Sequence, residues 1–171
     1  MGVSRVRAHL TEQGWAGEIL EFKESSATVE LAAEKVGTEP ARIAKTLGFY
    51  DPEASERAVL IVAAGDAKVN GGMFKRQFGG KPRMLKREDV ATFTGYPAGG
   101  VCPFANPDSA RVYLDESLRR FSSVYPAAGT ATSAVEIKVD ALQVLSGAVA
   151  WVDVTTGWTG DPAATSTTTP A

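Results

Sequence analysis

Residues 58–64 read AVLIVAA, an unbroken apolar run between Arg57 and Gly65. A run this short, closed by a turn, predicts a strand at the centre of a sheet rather than a helix. A second strand is expected at 45–50 (KTLGFY), and a short one at 18–22 (EILEF). Four more candidates follow downstream: RVYLDESL (111–118), SVYPAAG (123–129), AVEIKV (134–139) and AVAWVDV (148–154). Helical signals lie between them. Val3, Val6 and Leu10 form an apolar stripe that ends at Gly14. In SSATVELAAEKVG (25–37), Thr28 is a good N-cap, Glu30 suits the positive end of the helix, and Gly37 stops it. TEPARIA (38–44) gives a shorter helical turn with Pro40 at its start. NGGMFKRQFGG (70–80), KREDVATFTG (86–95) and VDALQVLSG (139–147) complete the set. Strands and helices mix without regular βα alternation. The expected fold is therefore α+β, a single domain over residues 1–154 with a curved mixed sheet or partial barrel flanked by helices. The tail 155–171 carries too few large apolar groups to offset its ordering entropy and is expected to be disordered.

Bulk composition narrows the function. At 171 residues the chain can bury a proper core, and 44% apolar with 22% charged residues is ordinary for a globular protein. A net charge of −2 excludes long-range attraction of the whole molecule to nucleic acid, so any such contact must use a local patch. One candidate exists. Between Lys68 and Arg87 there are seven Lys or Arg residues and no Asp or Glu, a run that either meets phosphates or is simply a solvated face. No segment approaches the about eighteen consecutive apolar residues of a membrane span. The amino terminus lacks an apolar signal region, and Val6 breaks a myristoylation motif at Gly2. A lone cysteine excludes an internal disulfide and suits a reducing cytosol, so a cytoplasmic protein with no membrane partner is expected. With one histidine, His9, and one cysteine, neither a zinc site nor a catalytic triad is expected, and no cofactor is implied. His9 flanks the first apolar stripe and reads as a surface residue.

The loop TGYPAGGVCPF (94–104) holds Cys102 among glycines and prolines. A nucleophilic thiol needs support from a histidine or helix end, and nothing in the sequence brings His9 near; Cys102 reads as a small loop-filling side chain. The backbone is the stronger candidate. Gly99 and Gly100 allow dihedrals and close approaches that a Cβ would block, and Pro103 stiffens the exit. Such a segment can aim peptide groups at a substrate. Lys45, opening an apolar strand, either snorkels to water or anchors a substrate phosphate or carbonyl.

Taken in order, TVELAAEKVGTEPARIAKTLGF, AAGDAKVN, TGYPAGGVCPF, VYLDESL and YPAAG…SAVEI resemble the YbaK/ProX-type editing domains, the superfamily that includes the insertion domain of bacterial prolyl-tRNA synthetases. The resemblance runs from about residue 4 to residue 154. It implies a free-standing aminoacyl-tRNA deacylase acting on the acceptor end of mischarged tRNA, with a synthetase as a possible partner. By the same resemblance Lys45 matches the family lysine tied to the tRNA 3′ end and activity, and Gly99, Gly100, Val101, Cys102 and Pro103 match the G-x-x-x-P loop that holds the aminoacyl moiety through its backbone. Phe22, Thr46, Asp66, Asn70, Gly95, Ala128 and Gly129 are implied around the substrate, Asp66 and Asn70 with a structural role equally open. Members close to the cysteinyl-tRNA deacylases show SGGKRGL and a following acidic residue where this chain has Ala127 and Ala134. TATSA is nearer the alanyl-tRNA type, which carries an asparagine in place of Gly129. The implied chemistry is substrate-assisted hydrolysis, in which the ribose hydroxyl beside the ester helps position water. The alternative of another class is a non-catalytic module that binds tRNA or a nucleotide through the basic run.

Overall fold

The computed structural model describes residues 2–24 and 28–158. Its centre is the long hairpin of β2 (Ile43–Asp51) and β3 (Ala54–Ala64), antiparallel over the register Ala44↔Ala64 to Tyr50↔Ala58. The AVLIVAA run lies in β3, and every residue of it is at most 1% exposed, as expected of a strand covered on both faces. Parallel neighbours extend the sheet: β5 (Ala110–Asp115) beside β3, β9 (Ala150–Val152) beside β5, and β6 (Ser123–Pro126) beside β2. With β8 (Ile137–Lys138) antiparallel to β6, the order is β8-β6-β2-β3-β5-β9, a mixed, curled half-barrel. Two small sheets, β1 (Ile19–Glu21) with β7 (Ser133–Val135) and β4 (Lys68–Val69) with β10 (Thr155–Thr156), stand apart from it.

Among the described residues five α-helices flank the sheet, in keeping with the α+β expectation. Helix α1 (Gly2–Glu12) buries Val3, Val6 and Leu10, the stripe visible in the sequence. Helix α2 (Val29–Val36) starts where Thr28 Oγ1 accepts from the Leu31 N–H and stops at left-handed Gly37. It packs Ala32 and Ala33 on Ile43, with Tyr125 alongside. Helices α3 (Gly71–Phe78), α4 (Arg87–Thr94) and α5 (Val139–Ser146) each end at a glycine with positive φ. Pro40–Arg42 and Glu116–Arg120 form 3-10 turns. No helix among the described residues is long and apolar enough to cross a membrane.

Three expectations change. The stretch 134–139 is two strands, because exposed Glu136 is a corner: Ser133–Val135 pair with β1 and Ile137–Lys138 with β6. The strand expected at 111–118 ends at Asp115, whose carboxylate turns inward, accepts from the Ser117 N–H at 2.9 Å, and starts a 3-10 turn. The folded body also runs past residue 154. Thr155 and Thr156 pair with Val69 and Lys68, and Trp158 Nε1 donates to Thr155 Oγ1 at 2.8 Å. The disorder expected for the tail therefore does not hold for its first four residues, and 159–171 lie outside the described residues.

Candidate active site

Lys45 is the third residue of β2, which follows the Pro40–Arg42 turn, and β2 carries it into a cleft of about 310 Å³. One wall is α2, through Val29 and Ala32. The floor is β2 from Ile43 to Leu47, and the far side is Tyr125, Ala127, Ser133 and Ala134. Gly99 and Val101 close it from the glycine-proline loop.

The ammonium of Lys45 does not snorkel freely. Nζ donates to the carbonyls of Gly65 (3.3 Å) and Ala67, in the turn that follows β3. An ammonium has three donors, so one remains for a ligand. Burial pushes its pKa below the ordinary lysine value; the nearby carboxylate of Asp66 offsets this, Lys68 adds to it, and Glu30 offsets it again. Next to it, the Thr46 Oγ1 is buried without a hydrogen-bond partner among the described residues. Leaving a buried hydroxyl unpaired costs about 1–3 kcal/mol.

Facing Lys45, the loop is held by side chains that sequence reading overlooked. Asn106 Nδ2 donates to the carbonyls of Cys102 (3.0 Å) and Thr94 (2.8 Å), and the Tyr96 hydroxyl donates to the Phe104 carbonyl. From α1, Arg5 donates to the carbonyls of Gly95 and Ala105 and lies 4.9 Å over the Tyr96 ring. Their signal was weak, since any of the three types reads as an ordinary surface residue. Gly99 has φ of 90°, and the Gly100 N–H closes a turn on the Pro97 carbonyl at 2.9 Å. A Cβ on Gly100 would stand 2.8 Å from the Gly129 oxygen, so only glycine lets the loop press against the 129–130 segment. The peptide N–H groups of Gly99, Val101 and Cys102 donate to no other described residue. Of these, Gly99 and Val101 line the cleft, whereas Cys102 is fully buried.

Cys102 itself is fully buried, and burial pushes its thiol up to about 12. It is a neutral packing group. His9 is half-buried, its ring 6.4 Å from that of Phe104 and its Nε2 2.7 Å from the Leu145 carbonyl.

The other residues named from the sequence divide. Thr46 lines the cleft. Gly129 lies behind the loop, with φ of 99° and its backbone against Gly2. Pro103 is buried at the loop's exit. Ala128 is fully buried, and the cleft instead receives Ala127, because backbone alternation turns successive side chains to opposite faces. Phe22 is half-buried, its N–H donating to the Thr132 carbonyl at 2.7 Å, and does not line the cleft. Gly95 is the C-cap of α4. Asn70 is the N-cap of α3, accepting from Met73 N–H at 2.9 Å. Asp66 grips the guanidinium of Arg120 with both oxygens, at 2.6 and 3.0 Å. These last three serve the frame around the cleft rather than its lining.

Comparison with known proteins agrees with this geometry. Residues 23–145 match the family model of the aminoacyl-tRNA editing domain. The chain is 43% identical over 158 residues to the uncharacterised protein YwhH of Bacillus subtilis (strain 168), covering 92% of this chain and 99% of that one. It is 27% identical over 126 residues to EbsC of Enterococcus faecalis (strain ATCC 700802 / V583), provisionally named a Cys-tRNA(Pro)/Cys-tRNA(Cys) deacylase, covering 73% and 76%. Among solved structures, one provisionally described as a trans-editing enzyme for prolyl-tRNA synthetase superposes with a TM-score of 0.81 at 30% identity, covering 91% of this chain and 98% of that one. A half-barrel whose cleft sets one lysine opposite a glycine-proline loop, matched by that model over most of its length, belongs to the aminoacyl-tRNA editing domain family.

Proposed function

We propose that the protein is a trans-editing aminoacyl-tRNA deacylase that removes a small wrong amino acid from tRNA, with tRNA-Pro the favoured carrier. The observation that carries this reading is the placement of the Lys45 ammonium and the Gly99–Val101 backbone around one small, mostly apolar cleft. At about 310 Å³ the cleft lies at the low end of the roughly 300–1,000 Å³ of small-molecule sites. Ala32, Ala44, Ala127 and Ala134 keep it shallow. A second sieve of this kind is needed because one methylene discriminates by only about 1–3 kcal/mol in an apolar pocket. The name of EbsC gives both tRNA(Pro) and tRNA(Cys), and the description of the solved relative names prolyl-tRNA synthetase, which together favour tRNA-Pro.

In this mechanism the third Lys45 donor holds an oxygen of the tRNA 3′ end, and the free N–H groups of the loop receive the ester carbonyl as it becomes an oxyanion. The ribose hydroxyl next to the ester positions the attacking water. Water oxygen bonds to the carbonyl carbon, the carbon–ribose oxygen bond breaks, the ribose oxygen takes the proton, and the amino acid leaves as its acid. Cys102 contributes its main chain alone. The test is a deacylation panel of misacylated tRNAs, run with wild type and Lys45→Ala, and with a terminal adenosine lacking the neighbouring hydroxyl. Turnover that depends on both the lysine and the hydroxyl is expected. Undiminished turnover without the hydroxyl would refute substrate assistance, and tight tRNA binding with no hydrolysis of any ester would leave a binding module instead.

A further inference from the structure

The cations between Lys68 and Arg87 are unlike those elsewhere in the molecule. Lys68, Lys75, Arg76, Lys81, Arg83, Lys86 and Arg87 are all exposed. The six ion pairs among the described residues use Arg7, Lys35, Arg42, Arg57, Arg119 and Arg120, and none uses a cation of this segment. A solvated face of a net −2 protein would be expected to intersperse acids; here, among the described residues, seven positive charges have no ion-pair partner.

The backbone beneath them is anchored. From α3, Phe74 is fully buried and packs on Phe49 with ring centroids 5.0 Å apart. The chain then returns along β2: Tyr50 N–H donates to the Arg83 carbonyl at 2.9 Å, Met84 bridges Phe49, and Leu85 N–H donates to the Gly48 carbonyl at 3.0 Å. Lys86 N–H donates to the Tyr50 hydroxyl, which donates to Asp89 at 2.5 Å, and the Arg83 guanidinium lies 5.2 Å over the Tyr50 ring. The ordering entropy of this otherwise irregular stretch is thus already spent before any ligand arrives.

Its position follows from β2. Lys68 directly follows Ala67, whose carbonyl accepts from Lys45 Nζ, so the basic segment begins at the turn that holds Lys45. It ends alongside Tyr50, five strand residues away, or roughly 17 Å. We infer that this face receives the phosphate backbone of the acceptor duplex while the single-stranded, aminoacylated end enters the cleft. The proposal rests on the deacylase reading for what occupies the cleft, but makes its own demand: contacts that are to phosphates, hence independent of the amino acid and steeply salt-dependent.

The experiment compares two substrates with the same ester, one on intact tRNA and one on a short single-stranded oligonucleotide ending in the same adenosine. In the triple variant Lys75→Glu, Arg76→Glu, Arg83→Glu, KM for tRNA is expected to rise at least about tenfold, and the log–log salt slope to flatten by about 2, at about 0.7–0.9 per lost contact. The short ester, having no duplex, should be cleaved within about twofold of wild type. A second variant, Lys81→Glu with Lys86→Glu, repeats the test on the return segment if α3 is disturbed. Equal losses on both substrates, or none on tRNA, would overturn the proposal; none on tRNA would make the patch a solvated face. Filter binding of uncharged tRNA separates this from the deacylase reading. A wild type that cleaves no ester, yet binds tRNA with a salt slope the variant lacks, keeps the duplex face and discards the enzyme.

Discussion

At the scale of single residues, the site contrasts one partly buried cation with one fully buried thiol. Lys45 is held below its ordinary value of 10.5 by burial. For a lysine the sign is definite: below the depressed value the buried charge costs stability, and that cost is relieved as pH rises toward 10.5. If the charged form serves the reaction, activity corrected for spontaneous ester hydrolysis should fall on an alkaline limb that begins below 10.5. Lys45→Ala should lower kcat/KM by about a hundredfold or more, the scale of losing one oriented electrostatic donor, and should abolish that limb. A limb that survives the substitution would move the titration to another group. Cys102, with its thiol near 12, stays neutral at every physiological pH. Cys102→Ala should therefore cost about 1 kcal/mol of stability for the lost volume and keep activity within about threefold, with the native thiol resistant to iodoacetamide. Loss of turnover with an unchanged melting curve would restore a role for sulfur.

At the scale of elements, what the sequence displayed best was anything decided by local chemistry. AVLIVAA could only be a buried strand, and Thr28 and Gly37 bound α2 as caps should. Side-chain direction was harder, since the choice of Ala127 over Ala128 turns on a register that no local signal fixes. The two-residue strands β4 and β10 were invisible because their pairing partner is almost ninety residues away in the chain. Asn70 shows a further ambiguity: the same amide that could bind a substrate is also a preferred N-cap, and here it caps α3. Asn70→Ala is expected to lower stability by about 1 kcal/mol, leaving KM for a short aminoacyl ester unchanged, whereas Asn70→Asp should restore the melting temperature. A raised KM in a stably folded Asn70→Ala protein would return this residue to the substrate.

At the scale of the whole molecule, strand β10 and Lys45 are joined through one turn. Gly65 and Ala67 supply the carbonyls that hold Lys45, and Asp66 between them is clamped by Arg120. The Arg120 guanidinium, with a side chain 5% exposed, lies between the rings of Phe121 and Trp158, at 4.7 and 4.9 Å. Trp158 is in turn fixed by Thr155, whose hydroxyl donates to buried Asp115 at 2.5 Å beside the Val154 N–H at 2.9 Å. Ending the chain after Val154 removes the Trp158 face, the Thr155 hydroxyl and the β4–β10 pairing together, and leaves Asp115 short of one hydrogen bond and Arg120 without one of its aromatic faces in a dry setting. The loss is expected to be about 3 kcal/mol, or roughly 6–12 °C in Tm for a chain of this size. Because the same chain of contacts braces the turn behind Lys45, Trp158→Ala should also lower kcat on a short aminoacyl ester at temperatures where the protein remains folded. If Tm falls and kcat does not, the terminal segment supports the fold alone, and the turn at Asp66 is rigid without it.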